Sequence, residues 1–576
     1  MAAMVQALDN HTPTQYGEKG HIEYTWSNNV QEQILQFSFQ VTRSSNPDTL
    51  DKLSRQLSDI LSTLKNHTMC ESQSVIAREY LSILYRMIGH TRDIIDGKGE
   101  YELTYMMIHT WYDYYPKLAI FALGCLVDIG KNVHQYGSWK DLKYFYRYCL
   151  SVGCKNHHPL LQECIILTND QLRIDSTSEN PSLLAKWVPR EDSAFGAQFE
   201  PLATNYFAEY IKTAKSAESI AKAIKKCKTK YRILLTTLNQ KLHTTQINQC
   251  GGTWSKIKFN EVTSITLAKQ SSAFLNKKST GVPRFPDSSD RNECAIHFKE
   301  HIELGKSGAI KIKGKRVGMT DFTKQALRLI RMPQANDISD NQDEIDLLNL
   351  QWRDNSSQNG QLGNFIAMVD VSGSMKGDPL YAANAIGIRI AEKSKLGKRV
   401  MTFSNKPSWV NLENDDDFVS MTAKICTDSG LNTNFYAAMD LILNAIIQSK
   451  LSPDEVQDLV LVILSDMQVD QADKNADMSM HDNIKKRYTD AGMRLYGKPF
   501  NPPHILMWNL RSTSGFPCLS SQTNTSMMSG FSPILLNVFC EKGLDAFQSC
   551  TPWSILVESL DNHRYTILSD KITLLI

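Results

Sequence analysis

An apolar run that ends in Asp-x-Ser-x-Ser constrains this chain more than any other stretch. Phe365 to Val369 are all apolar, the pattern of a strand buried on both faces, as in a parallel sheet. The run stops at Asp370, and Ser372 and Ser374 flank Gly373, which lets the backbone turn tightly. Residues 378–392 then read as a helix. One carboxylate and two hydroxyls thus stand at the carboxyl end of a parallel strand, where α/β sheets bind their ligands. Small oxygen donors of this kind suit a hard cation such as Mg²⁺.

Two later stretches supply more oxygen. Gly430-Leu-Asn-Thr433-Asn434 precedes a helical pattern from Phe435, so Thr433 or Asn434 also reads as a simple N-cap. Asp458 to Asp466 is a second apolar strand ending in Ser465-Asp466. Three such loops in this order resemble the metal-ion-dependent adhesion site of von Willebrand factor A domains. The resemblance implies that Asp370, Ser372, Ser374, Thr433 and Asp466 surround Mg²⁺ (or Mn²⁺). It also implies an open coordination position that accepts a carboxylate from a protein partner. Further strands are expected at Arg399–Phe403, at Ser408–Leu412 (as an antiparallel edge) and at Pro503–Asn509, with a helix near His481–Met493. Strands alternating with helices imply a doubly wound α/β domain over 363–576.

The first half has a different period. Leucines at 50, 53, 57 and 61 follow helical spacing, and similar patterns recur to about residue 330. Helix pairs joined by short turns suggest a solenoid-like (HEAT-like) array over 46–332, with no fixed repeat length. Residues 1–45 read as an N-terminal extension, and the polar stretch 333–362 as a linker to the sheet. A helical array followed by an A domain is similar in architecture to the Ro autoantigen (TROVE) proteins, although recognisable repeat units are missing. Thr91–Glu100, Tyr136–Leu142, the Asp370–Met375 run and Leu464-Ser-Asp-Met467 more closely resemble an uncharacterised family of large DNA viruses, plants and fungi. That resemblance covers most of 50–560, and Gly20–Arg43 looks like the giant-virus members.

Charge carries the second functional expectation. The net charge is only +2, yet residues 208–317 hold 22 Lys/Arg against 8 Asp/Glu, while 364–470 hold 9 against 14. The Ro-like architecture implies RNA binding, and the basic segment offers Lys225, Lys226, Lys230, Arg232, Lys256, Lys258, Lys311, Lys313, Lys315 and Arg316 as phosphate contacts, with Tyr231, Trp254 and Phe259 among them. Structured or single-stranded RNA is the expected ligand. The alternative is a protein-interaction adaptor that holds its partner through Mg²⁺ and binds no nucleic acid. The charged turn Arg92–Glu100 reads either as a phosphate cradle or as a salt-bridged helix–helix connection. Trp111, Tyr136 and Trp139 read as packing residues, and His157-His158 lacks a third ligand.

An enzyme is not expected: Gly-x-x-x-x-Gly-Lys-Ser/Thr, His-Glu-x-x-His and Gly-x-Ser-x-Gly do not occur. Asp370 as a phosphoryl acceptor lacks the lysine and second acid of that chemistry. Twelve scattered cysteines without a Cys-x-x-Cys argue against zinc and disulfide frameworks and for a cytoplasmic setting. No apolar run approaches the roughly 18 residues of a membrane span, and the N-terminus lacks the pattern of a signal peptide.

Overall fold

The computed structural model describes residues 13–576 apart from 45, 131–132, 279, 332–340, 404–405, 427–434, 469–477 and 541–543. From Pro47 to Arg331 the described chain is a succession of helices and turns, as the leucine spacing implies. In the helix Pro47–Thr68, Leu53, Leu57, Leu61 and Leu64 are buried on one face. The Asn46 side chain caps its first turn, and Pro47 sits where a missing N–H costs least. Each such leucine contributes on the order of 2 kcal/mol through burial. This helix packs on both Ser74–Arg92 and Glu102–Tyr114, and the latter packs on Pro116–Cys125. Trp111 and Tyr136 are fully buried in that core, and Trp139 packs against it.

Ahead of the helices, β1 (Thr14–Tyr16) and β2 (Ile22–Tyr24) form an antiparallel pair. The main sheet contains β3 (Asn364–Asp370), β4 (Arg399–Phe403), β5 (Ser408–Asn411), β6 (Leu459–Ser465), β7 (His504–Asn509) and β8 (Thr525–Ser529). Its order is β5-β4-β3-β6-β7-β8, and every pairing is parallel except β4 with β5. The period-two alternation of a strand divides the apolar residues between two layers. Phe365, Ala367 and Val369 join Val460, Val462, Leu506 and Trp508 on the face covered by the helix Asp378–Lys393, on which Met319–Arg331 packs in turn. Ile366, Met368, Leu461, Ile463, Ile505 and Met507 face the other way, into a core that continues unbroken through the helical half.

Order along the chain and order in space differ in three places. The segment read as an extension is packed against the sheet. The helix Val30–Gln40 lies on β8, with Asn509 Nδ2 donating to Phe39 O at 2.9 Å and Ser520 N donating to Glu32 Oε2 at 3.0 Å. The segment read as a linker contains the helix Gln342–Ser356, which buries Leu347, Leu348 and Trp352. Trp352 stacks on Phe418 at 4.0 Å and donates from Nε1 to Glu392 at 2.8 Å. Its polar residues misled because they too are buried: Asp354 Oδ2 accepts from Gly314 N at 2.7 Å, and Asn355 donates to Val317 O at 3.1 Å. Finally, the helices Pro552–Leu560 and Thr566–Leu575 return to pack on Ser74–Arg92. The result departs from a solenoid, in which each repeat meets only its neighbours.

None of the twelve cysteines is in a disulfide. No helix among the described residues is long and apolar enough to cross a membrane.

Candidate functional site

The chain runs from β3 to β4 and β5 on one side, then returns to place β6 on the other side of β3. The crevice between β3 and β6 is therefore the topological switch point, the place where diverging connections leave room above the strand ends. Asp370 ends β3 and Asp466 follows β6, and neither is exposed. Asp370 Oδ1 accepts from Ser372 N at 2.9 Å, which holds the loop in a tight turn, and Oδ2 accepts from Ser465 Oγ at 2.7 Å. Ser372 Oγ lies 3.1 Å from Ser374 Oγ. Beyond β6, Asp466 Oδ1 accepts from Gln468 N at 3.1 Å, and Met467 between them has φ +61°. A methionine in the left-handed region is a strained residue, and such strain collects at functional loops.

The electrostatics are unbalanced. Burial, and after it the nearby Asp466 charge, push the Asp370 carboxyl up to about 6. Among the described residues the one cation against the pair is Arg511, whose Nη1 is 3.4 Å from Asp466 Oδ2 and whose side chain is 44% exposed. Carboxylates and hydroxyls, with no sulfur or imidazole, form a donor set for a hard ion that prefers oxygen. Among the described residues no three His, Cys, Asp or Glu side chains could hold a metal together. Any ion here would depend on the neutral hydroxyls of Ser372 and Ser374 as well as the two acids. Thr433 lies outside the described residues.

Sequence reading missed the residues that brace this loop. Gln468 Nε2 donates to Glu23 Oε2 at 3.2 Å, and Glu18 N donates to Gln468 Oε1 at 2.8 Å. Burial raises the Glu23 carboxyl, but hydrogen bonds from His21, Gln15 and Gln468 outweigh it and hold the group below its ordinary value. The residues come from opposite ends of the chain, and no local pattern marks them.

The basic residues stand on two separately packed parts of the chain. Lys225, Lys226, Lys230 and Arg232 stand on the helix Ala217–Lys241, whose buried side belongs to the large core. Lys256, Lys258, Lys311, Lys313, Lys315 and Arg316 surround a separate small core built on Phe259, Phe274 and Phe298. Lys313 Nζ, 2.6 Å from Asn260 O, joins the two loops of that group. Several of these cations are already engaged. Arg232 pairs with Glu191 at 2.6 Å and Lys311 with Asp354 at 2.9 Å. Lys258 is 3.5 Å from Glu261, Lys226 sits 3.9 Å over the Tyr210 ring, and Arg316 Nη1 donates to Ile94 O at 2.6 Å. Lys225, Lys230, Lys256 and Lys315 remain exposed. Tyr231 and Phe259 are buried, and Arg291 covers Trp254 at 3.6 Å, so those rings offer no open stacking face.

The Arg92–Glu100 turn takes its structural alternative. Arg92 makes two bonds to Asp141, of 2.6 and 2.9 Å, and both side chains are fully buried. Asp93 receives Arg564 at 2.6 and 2.7 Å. Lys98 donates to Ser38 O, Val41 O and Ser529 Oγ at 3.2, 3.1 and 2.6 Å, and Glu100 receives Arg43 at 2.9 and 3.0 Å. One loop thus ties together the N-terminal helix, β8, the Tyr136–Leu142 turn and the C-terminal helices. His158 serves as the N-cap of the helix Pro159–Thr177.

Residues 364–561 match the family described as a domain of unknown function, DUF7788. Along nearly its whole length the chain is also similar to a protein of Acanthamoeba polyphaga mimivirus, "Uncharacterized protein L728". The two are 28% identical over 575 residues, spanning 95% of this chain and 87% of the viral one.

Proposed function

We propose that this chain is a non-enzymatic scaffold whose C-terminal unit is a von Willebrand factor A-like module that binds through a divalent cation. Asp370, Ser372, Ser374 and Asp466, together with Thr433, hold Mg²⁺ (or Mn²⁺). When bound, the ion supplies an open coordination position for the carboxylate of a protein partner. The observation that carries this reading is the pair of buried carboxylates at the switch point, balanced among the described residues by a single half-exposed guanidinium. Like charges kept together out of water are costly unless a counter-charge joins them. Mn²⁺ binding, followed by electron paramagnetic resonance or calorimetry, tests the reading. Uptake of one ion that Asp370→Ala abolishes is expected. Lack of uptake at millimolar Mn²⁺, or uptake that survives Asp370→Ala, would remove it.

RNA binding by the basic segment is the companion proposal, supported by the exposed Lys225, Lys230, Lys256 and Lys315. A mobility shift that weakens as salt rises is expected from phosphate contacts. No shift at low salt would leave the adaptor role alone.

A further inference from the structure

A cleft of about 1360 Å³ lies where the helical half meets the rim of the sheet. One wall comes from the helices Glu102–Tyr114 and Lys140–Ser151. The opposite wall is the loop after Asp370, at Ser374, Lys376 and Asp378, with Arg511 beside it. Four tyrosines line the helical wall, Tyr101, Tyr105, Tyr144 and Tyr148, with neighbouring centroids 6.1 to 6.4 Å apart. Tyr144 keeps 38% of its surface open. Five basic side chains line the cleft (Arg43, Lys140, Arg147, Lys376 and Arg511) against three acids (Glu100, Glu102 and Asp378).

Pairing sharpens that imbalance. Glu100 is taken by Arg43, and Asp378 is 2.6 Å from Lys324 outside the cleft. Among the described lining residues, Glu102 is then the acid left to offset Lys140, Arg147 and Lys376. Lys140 rests 4.7 Å over the Tyr101 ring, and Arg147 is exposed. The cleft therefore offers rings on one wall and positive charge along its length, with the hydroxyls of Ser44 and Ser374 as further donors. It exceeds the roughly 300–1,000 Å³ of common small-ligand pockets. Apolar side chains that an acidic peptide would need as anchors are few here, chiefly Leu50, Leu103 and Pro379.

We propose that this cleft binds a nucleoside phosphate, either a free nucleotide or a unit of a single strand. The base lies against Tyr144, the exposed ring of the wall, and the phosphate is held by Arg147, Lys140 and Lys376, while Arg92 and Lys140 already cover Tyr101 at 3.9 and 4.7 Å. Stacking on tyrosine combined with charge along a groove is how single strands are held without sequence preference. The proposal rests on the cation reading only in that Ser374 and Arg511 border both sites, and the cleft's charge and rings do not need the ion.

Calorimetry or fluorescence anisotropy of the full chain tests this, with AMP, a labelled single-stranded decanucleotide RNA and an Asp/Glu decapeptide as probes, each with and without Mg²⁺. At low salt, AMP or the RNA should bind with a Kd below about 100 μM. Arg147→Glu and Tyr144→Ala should each weaken binding about tenfold, the first with melting unchanged because Arg147 is exposed, the second with a lower melting point because Tyr144 packs on Tyr101 and Phe195. RNA binding much tighter than AMP identifies a strand as the source, and equal affinities identify a free nucleotide. No binding of either, indifference to both substitutions, or binding of the decapeptide alone would overturn the proposal. Mn²⁺ uptake measured on the same samples separates the two readings. Uptake without nucleotide binding defeats the cleft alone, and nucleotide binding without uptake defeats the cation site alone.

Discussion

Two buried polar clusters sit at opposite ends of one balance. In the loop Arg92–Glu100 every charged group finds an opposite charge or a set of carbonyls: Arg92 with Asp141, Asp93 with Arg564, Glu100 with Arg43, and Lys98 on Ser38 O and Val41 O. At the strand ends, Asp370 and Asp466 face each other with one half-exposed arginine. A closed network of this kind specifies how segments join, because losing any member leaves a charge stranded in low dielectric. An open network raises its own energy and lowers it again when a cation arrives. Burial and polarity are alike in the two places, so neither distinguishes structure from function. On the proposed cation reading, the state of the charge balance does.

The sharpest way to break the comparison is to open the closed network. Arg92→Ala should cost about 3–5 kcal/mol by leaving Asp141 buried and unpaired, seen as a lower urea midpoint. Arg92→Met combined with Asp141→Leu should recover only part of that loss, since the Tyr105 hydroxyl and Ser138 N, which also donate to Asp141, would be left without an acceptor.

Asp370→Asn should act in the opposite direction. Its folded pKa of about 6 lies above the ordinary carboxylate value, so between pH 4 and 6 the folded state binds more protons than the unfolded one. Stability of the metal-free protein therefore falls as pH rises through this window. Asp370→Asn removes that fall and should stabilise the metal-free protein at pH 7 by about 3 kcal/mol. Melting curves at pH 4, 5, 6 and 7 for both proteins check it, and parallel curves would contradict it.

Glu23→Gln sharpens the contrast with a smaller effect. It loosens Gln468 beside Asp466 without touching a proposed ligand, and should weaken Mn²⁺ binding about tenfold, with a modest change in melting. The smallest effect is expected at Lys225→Glu on the exposed helix face, where stability should move by no more than about 0.5 kcal/mol.

Much of the fold can be read locally. The unbroken apolar runs Phe365 to Val369 and Leu459 to Leu464 mark two strands covered on both faces, and the spacing of Leu53, Leu57 and Leu61 marks a helix. Asp370, Ser372 and Ser374 are close in sequence, so the turn that gathers them is a local property. The stretch 333–362 failed for a physical reason. Polar residues such as Asp354 and Asn355 suggest exposure when read one by one, and only their partners near Gly314 and Val317 show them to be buried. The Arg92–Glu100 turn was ambiguous for the same reason, because its partners lie at Arg43, Asp141, Ser529 and Arg564.

Strand and helix periods, the turn after Asp370 and the regional charge imbalance were determined by the sequence alone, since each depends on neighbours within a few residues. The strand order that makes β3 and β6 adjacent and sets Asp370 near Asp466 was decided by tertiary structure. So were the bracing of Gln468 by Glu23 and the cleft between Tyr144 and Ser374. Each depends on segments that meet only when the sheet closes and the chain's two ends fold back onto it. Hydrogen bonds and charge compensation between distant residues leave no periodic trace along the chain.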